Sequence, residues 1–569
     1  MSSSLSSTPR AATWAPQPLR SFLKGGRLVA LVTLLAVAWS AIQVGLFRGD
    51  LINAGGWALV RQFFAAALRP ELSPDFLLLT LEATLVTFAY AISGLALSLV
   101  IGFVGGLLSS EVWWLARRPH RQSPTTPLGS PWLIARSALA VPRAIHEAIW
   151  GLFLARILGL DPLVAILALG LPFGAITAKV FSEILDETPR DALHALLNGG
   201  APPARAMLYG LLPRAFPNLT SYSFYRLECA IRSATVLGVI GAGGLGYQIL
   251  LSLQSLRYQE MWTLMAALLV LSGLTDWLSA HIRRALGAPT RLDANLGADC
   301  AAEAAVRARA TSGSRALLGL LAAAMALTPL ALWYVRPDFG KLFAPRTMML
   351  LGDMLRQMFP PDLSPANMAT LISLSAQTLA MSVFAIALAG LFGILLAYPA
   401  AHPARRTRGA LLAYSAARAF LLFCRAIPAP VWALLILFVM FPGPLPGALA
   451  IAVHNLGILG RLIAEAVENA DKRPAAALQH AGATPAQAFL YGALPITLPQ
   501  SLAYIFYRWE ICMRETVIVG FVGAGGLGRL LTEQLSSFDY SGVTATLSAL
   551  LALTFIVDLL STAARRAIR

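Results

Sequence analysis

GAPPARAMLYGLLPRAFPNLTSYSFYRLECAIRSATVLGVIGAGGLG, residues 200–246, returns as GATPAQAFLYGALPITLPQSLAYIFYRWEICMRETVIVGFVGAGGLG at 482–528, with about half the positions identical. A repeat of this length decides the architecture before any single residue is read. There are two copies, each inside a hydrophobic half-chain, which points to the duplicated halves of a membrane transporter and away from a solenoid. The offset of 282 holds without gaps from Arg143, where RAIHEAIW matches RAIPAPVW beginning at Arg425. Before that it is about 291, at the Leu-Ser-Pro shared by Leu72–Pro74 and Leu363–Pro365. The extra length of the first half falls most naturally in the basic, Pro-rich loop around 117–131, against the shorter one at 402–409. Loops absorb such changes at little cost.

The chain has 569 residues, 57% of them hydrophobic, and a mean hydropathy of +0.68, which makes it an integral membrane protein. Apolar runs near the roughly 20 residues a crossing helix needs recur, and the alternating pattern of an outer-membrane barrel does not. The expected fold is all-α, about twelve transmembrane helices in two six-helix halves. The spans fall near 28–47, 78–105, 132–155, 162–181, 218–240 and 260–282, then near 315–334, 368–398, 410–440, 445–464, 500–522 and 543–563. Residues 1–27 read as a cytoplasmic tail, 28–283 and 315–569 as two homologous membrane units, and 284–314 as a cytoplasmic linker. The first apolar run has no small-residue cleavage site and reads as a retained span.

A net charge of +16 could suggest nucleic acid, but the cations sit in short clusters between apolar runs. Arg20, Lys24 and Arg27; Arg117, Arg118 and Arg121; Arg283 and Arg284; Arg405, Arg406 and Arg408; and Arg565, Arg566 and Arg569 all fall on the cytoplasmic side if each half crosses six times. Both termini are then cytoplasmic. Cys229, Cys300, Cys424 and Cys512 lack metal spacing and read as small apolar residues. No metal site is expected.

Lys179 with Glu183, and Arg461 with Glu465, are helical i,i+4 pairs at the inner ends of equivalent spans. They read either as solvated ion pairs or as groups that shape the start of the next loop. That loop, about 186–217 and 468–499, contains Gly200, Ala201, Tyr209, Gly210, Leu212, Pro213 and Pro217, equivalent to Gly482, Ala483, Tyr491, Gly492, Leu494, Pro495 and Pro499. Glycine permits a sharp turn between helices, and Leu-Pro resets the chain for the next span. A short helix exposed at the cytoplasmic face follows.

The glycine followed at a distance by Leu-Pro resembles the cytoplasmic coupling loop of binding-protein-dependent ABC transporter permeases. The resemblance implies docking of the loop's short helix on an ATPase subunit, with ATP and Mg held there and not in this chain. Two loops imply two ATPase subunits per chain. That family usually has Glu-Ala-Ala before the glycine, where this chain has His194-Ala195-Leu196 and Ala476-Ala477-Leu478.

The following span carries Tyr225, Arg226, Glu228 and Arg232, matched by Tyr507, Arg508, Glu510 and Arg514. Charge at mid-span costs at least about 2.5 kcal/mol per residue unless paired or wetted, so this face cannot look into lipid. Glu228 with Arg232, and Glu510 with Arg514, have i,i+4 spacing. The residues are either clamps between helices or the lining of a translocation pathway whose surplus arginines favour an anion. The second half has Glu515 where the first has Ser233, which lowers its surplus.

Residues 241–246 and 523–528 satisfy G-x-G-x-x-G, but no strand-turn-helix unit surrounds them, so they read as tight turns with close backbone approach. RAIP and VWALL after Cys424, HNLGILGRLIAEAVE ending at Glu468, YRWE, RETVIVG and VGAGGLG resemble phosphonate-transport permeases. RAI, LYG, YRLE, RSATVLG and IGAGGLG of the first half agree, so the resemblance covers roughly 70–282 and 360–563. It implies a phosphonate, phosphite or related phosphorus oxyanion, a solute-binding protein outside, and a bacterial inner-membrane location.

No G-x-x-x-x-G-K-[ST] loop occurs, and no nucleophile or metal constellation recurs in the spans, so the chain is expected to be a permease subunit and not an enzyme. A fused ferric-ion permease also carries two such loops. An ion-driven secondary transporter is the reading from a different class.

Overall fold

The computed structural model describes residues 19–47, 51–53, 55–117, 130–285, 326–401 and 407–568. Expectations for the first part of the tail, most of the linker, the start of the seventh span, Cys300, and Arg118, Arg121, Arg405, Arg406 and Arg569 lie outside those residues.

The regular structure of the described residues is helical. Among them eight helices are long and apolar enough to cross a bilayer, or up to 10 if each of two sharply bent helix pairs is one span, and shorter apolar helices occupy Ala30–Gln43 and Ala326–Val335. In order the helices are α1 (Leu19–Gln43), α2 (Gly56–Ala66), α3 (Pro74–Ser109), α4 (Glu111–Ala116), α5 (Ser130–Ala144), α6 (Glu147–Leu158), α7 (Pro162–Glu187), α8 (Asp191–Asn198), α9 (Leu212–Leu237), α10 (Gly244–Gln254) and α11 (Tyr258–Ala285). The second half has α12 (Ala326–Val335), α13 (Pro345–Gln357), α14 (Pro365–Ala400), α15 (Arg408–Ala426), α16 (Ala429–Ile436), α17 (Pro444–Asn469), α18 (Arg473–His480), α19 (Leu494–Val519), α20 (Gly526–Ser536) and α21 (Tyr540–Ile568).

The longest pair, α3 and α14, has 36 residues in each helix, starting with proline at the first turn after Ser73 and Ser364. At about 1.5 Å per residue each exceeds the roughly 30 Å hydrocarbon core. They pack chiefly on α7 and α17. Gly94, Gly102 and Gly106 of α3, with Gly170 and Gly174 of α7, lie so close to the facing helix that a Cβ has no room. Small residues are what allow apolar helices to approach within a lipid solvent.

The third and ninth expected spans are not straight crossings. The α5–α6 pair bends by 86°. In the second half α15 stops at Ala426 because Ile427, ahead of Pro428, is extended at φ −83° and ψ 122°. The first half breaks at the same place without proline: His146 is extended, and its Nδ1 caps the amide of Ala148 at 3.2 Å.

The glycine turns between α9 and α10, and between α19 and α20, are the tight turns expected. Gly241, Gly243 and Gly244 have φ of 104°, 92° and 73°, and Gly523, Gly525 and Gly526 repeat them at 97°, 83° and 70°. The amides of Leu245 and Leu527 donate to Thr87 Oγ1 and Thr378 Oγ1 at 2.8 and 2.9 Å, tying each turn to the long helix of its half. Gly246 and Gly528 press on the carbonyls of Thr235 and Val517. Gly246→Ala and Gly528→Ala are therefore expected to cost about 1–3 kcal/mol each, read as reduced thermal stability of the purified chain.

The halves also meet at an outlying corner. Asp161, between α6 and α7, caps Leu163 N at 2.9 Å and accepts from Lys341 Nζ at 2.6 Å. Burial raises the carboxyl's pKa, but the Lys341 contact and the amides of Leu163 and Asp338 outweigh it and hold it below the usual range. A lowered folded value means the contact stabilises above the ordinary aspartate pKa of about 3.9 and is lost as pH falls through the lower one. The melting-temperature difference between wild type and Asp161→Asn should be constant from about pH 5 to 8 and vanish only below about pH 4.

Candidate functional site

Each half builds its loop in the same way. Helix α8 ends on Gly199 and Gly200, where Gly199 N, Gly200 N and Ala201 N reach the carbonyls of Ala195, Leu197 and Leu196 at 3.0 Å each. Helix α18 ends on Ala481 and Gly482, and Ala481, Gly482 and Ala483 repeat the three bonds to Ala477, Gln479 and Leu478 at 3.0 Å each. Gly200 and Gly482 turn through φ of 82° and 88°, the left-handed stop of a helix C-terminus. A short helix and one π-turn follow, Met207–Leu211 and Phe489–Ala493, before Leu212-Pro213 and Leu494-Pro495 open α9 and α19. Gly210 and Gly492 sit in the π-turns against the backbone of Ala192–Leu193 and Ala475, where a side chain would push the short helix away.

The products are two apolar knuckles. Tyr209 and Tyr491 are 71% and 74% exposed, and Leu208 and Leu490 beside them are exposed too. The supports differ. The first loop buries Leu193, Met207 and Leu211 against Val112 and Trp113 of α4. Helix α18 buries none of its residues.

The charged helices depart from the symmetric pathway that sequence spacing suggests. Glu228 and Arg232 do pair, at 3.1 Å. Glu228 also takes Arg425 of α15 at 2.8 Å, and Arg425 contacts Asp276 of α11 directly. Arg461 lies 3.3 Å from Asp276 and 2.8 Å from Glu465. Arg461 is therefore not a solvated span end but part of a buried network of three arginines and three carboxylates joining the halves. Lys179 and Glu183, its equivalents, remain a looser pair at 4.0 Å.

Glu510 and Arg514 do not pair. Arg565 takes Glu510 at 2.6 Å, and Arg514 donates to the backbone carbonyl of Arg143 at 3.3 Å. The other two arginines, Arg226 and Arg508, are buried. Arg508 binds Glu515 at 2.7 Å and Asn455 at 2.5 Å. Its equivalent Arg226 has Phe173 and Ser233 at those places, and its guanidinium lies 4.1 Å from the Phe173 ring centre. The acid missing at Ser233 is supplied by Glu147 of α6, which accepts from the Ser233 hydroxyl at 2.5 Å. In the second half Arg508 and Glu510 are each ion-paired and Arg514 is not; in the first half Arg232 is paired, whereas Arg226 has no ion pair among the described residues and its Nε and Nη2 are buried without a hydrogen-bond partner. Tyr225 and Tyr507 stay partly exposed.

Sequence reading did not single out Arg425, Asp276, Glu147 or Asn455. The signal available was the offset of 282, which pairs Arg425 with Arg143 and Asp276 with Asp558.

Residues 125–287 and 389–569 each match the family described as binding-protein-dependent transport system inner membrane component. The chain belongs to that family. Among its relatives, the phosphate-import permease protein PhnE of Mycolicibacterium smegmatis is 29% identical over 77% of this chain and 78% of that protein. The phosphite transport system permease protein PtxC of Stutzerimonas stutzeri is 35% identical, over 44% of this chain and 88% of its own length. The two family regions of this permease stand in tandem. A solved inward-facing structure of the MetNI methionine ABC transporter aligns at 23% identity over 36% of this permease and 100% of that chain, with a TM-score of 0.33.

Proposed function

We propose that this permease carries a phosphorus oxyanion, whether phosphonate, phosphite or phosphate, inward across the bacterial inner membrane. Hydrolysis of ATP in two separate ATPase subunits drives it, and a solute-binding protein delivers the anion from outside. Residues 28–283 and 315–569 form the two permease units, with both termini, the linker and the two loops on the cytoplasmic side. The observation that carries this reading is the pair of matched loops ending in exposed Tyr209 and Tyr491. An aromatic of that size, held out on a glycine-stopped helix, is what a docking groove on a partner receives.

Each loop continues without a break into α9 or α19, so a push on Tyr209 or Tyr491 travels along the helix bearing Arg232 or Arg514. Glu228, Arg425 and Asp276 hold the first-half side of the seam together, and Tyr225 and Tyr507 line it. Alternating access follows from tilting these helices against each other. The names of the relatives favour phosphorus oxyanions over ferric ion, and the family favours an ATPase partner over ion coupling. Proteoliposomes containing the permease, its ATPase and the binding protein should accumulate labelled phosphite, methylphosphonate or phosphate only with hydrolysable ATP. Uptake that is unchanged with a hydrolysis-dead ATPase, or uptake of ferric ion alone, would refute the reading.

A further inference from the structure

The two sides of the seam between the halves are equivalent in sequence and opposite in electrostatics. On one side Arg425 is neutralised by Glu228 and Asp276. On the other, the equivalent Arg143 has no side-chain ion pair among the described residues, Glu510 is taken by Arg565, and Arg514 reaches only a backbone carbonyl. Arg143 feels Arg514, Asp558, Glu183 and Arg136 through space, but among the described residues no carboxylate is within ion-pair distance of either Arg143 or Arg514. Two arginines therefore share a sheltered place with an incomplete set of counter-charges.

That place has a cavity. It lies where the α5–α6 bend meets α19 and α21, lined by Ala144, His146, Ile149, Arg514 and Thr554 among others, with a free volume of ≈ 20 Å³; Arg143 stands next to this lining, its backbone carbonyl 3.3 Å from the Arg514 guanidinium. This is room for about one ordered water, so a larger anion would enter only when the seam parts. His146 Nδ1 is engaged, 3.2 Å from the Ala148 amide and 3.1 Å from the Glu147 carboxylate, and its Nε2 makes no hydrogen bond among the described residues. The equivalent position in the other half is Pro428, which offers no side-chain nitrogen.

From this asymmetry we infer that the permease holds one oxyanion per chain, at a site formed by Arg514, Arg143 and His146, and none at the mirror position around Arg425. The inference builds on the proposed import of a phosphorus oxyanion. Two guanidiniums and an imidazole suit a tetrahedral oxyanion, because the forked N–H groups match its oxygens and its charge supplies the missing counter-ion. The apolar lining from Ile149, Met513 and Val517 keeps water few and the attraction strong.

The test measures the melting temperature of the purified permease–ATPase complex against phosphite concentration, alongside ATP-driven phosphite uptake in proteoliposomes. Wild type should show a saturable rise, fitting a single class of site. R143Q and R514Q should each weaken the apparent affinity at least tenfold, R143K and R514K should recover part of it, and R529Q, at an exposed pair, should match wild type. A saturable shift equal to wild type in both R143Q and R514Q, or no shift in wild type while uptake proceeds, overturns the site and leaves the importer standing. A shift of the expected pattern without ATP-driven uptake keeps the site and overturns the importer.

Discussion

Replacing Tyr209 and Tyr491 together by aspartate should abolish ATP-driven uptake while leaving the permease folded and inserted. Both rings are mostly exposed, so little inside the chain depends on them: their removal uncovers no core. A partner that covers them gains their whole apolar area, and buried aromatic anchors of this kind carry about 2 kcal/mol or more each. A carboxylate in a desolvated groove adds a penalty of its own. Loss of both anchors should weaken ATPase binding by more than 100-fold, measured as the ATPase retained on the purified permease, with the melting temperature of the free permease unchanged. Retention of the ATPase at wild-type level would show that the knuckles are not the docking elements. The single variants need not be equivalent, because the first loop is braced by Val112 and Trp113 whereas α18 has no buried residue.

Arg425→Ala should be among the most damaging single substitutions in the chain. Glu228 and Asp276 keep only Arg232 and Arg461, and removing one partner of a buried charge set costs about 3–5 kcal/mol. The expected result is several-fold lower abundance in the membrane and a lowered melting temperature. Arg425→Ala with Asp276→Asn should recover part of both, since the carboxylate left bare is then neutral. Arg143→Ala, at the mirror position, should fold normally, because no ion pair of its side chain is lost. Equal damage from the two substitutions would mean that the seam is electrostatically symmetric after all.

The duplication, the loops and the glycine turns were legible because each is a local device whose chemistry is written in consecutive residues. Glycine at a left-handed position and Leu-Pro after it mean the same thing wherever they fall. The ion network was not legible, because its partners come from distant segments: Arg425 and Glu228 are 197 positions apart. Helical spacing identified Glu228 with Arg232 correctly and failed for Glu510 with Arg514, because spacing cannot register a competitor such as Arg565 arriving from another helix. The bent third and ninth spans were half-visible. Pro428 marks the break in one half, whereas in the other the cap supplied by His146 carries no such mark.

The paired exchanges explain why neither half is a plain copy of the other. Arg226 rests on Phe173 with Glu147 bonded to Ser233, and Arg508 rests on Asn455 and Glu515, with Ala429 where Glu147 would recur. A buried guanidinium must be compensated in each half, and fusion lets the two halves reach that end by different residues. A permease unit working as a symmetric pair cannot do this, since both copies share one sequence.

The claim underlying all of this is that one chain supplies both halves of the pathway. Native mass spectrometry of the transporter, released from the membrane with its ATPase bound, tests it directly. One copy of the 60.6 kDa chain with two ATPase subunits is the predicted composition; two copies of the chain in the smallest complex active in uptake would contradict it.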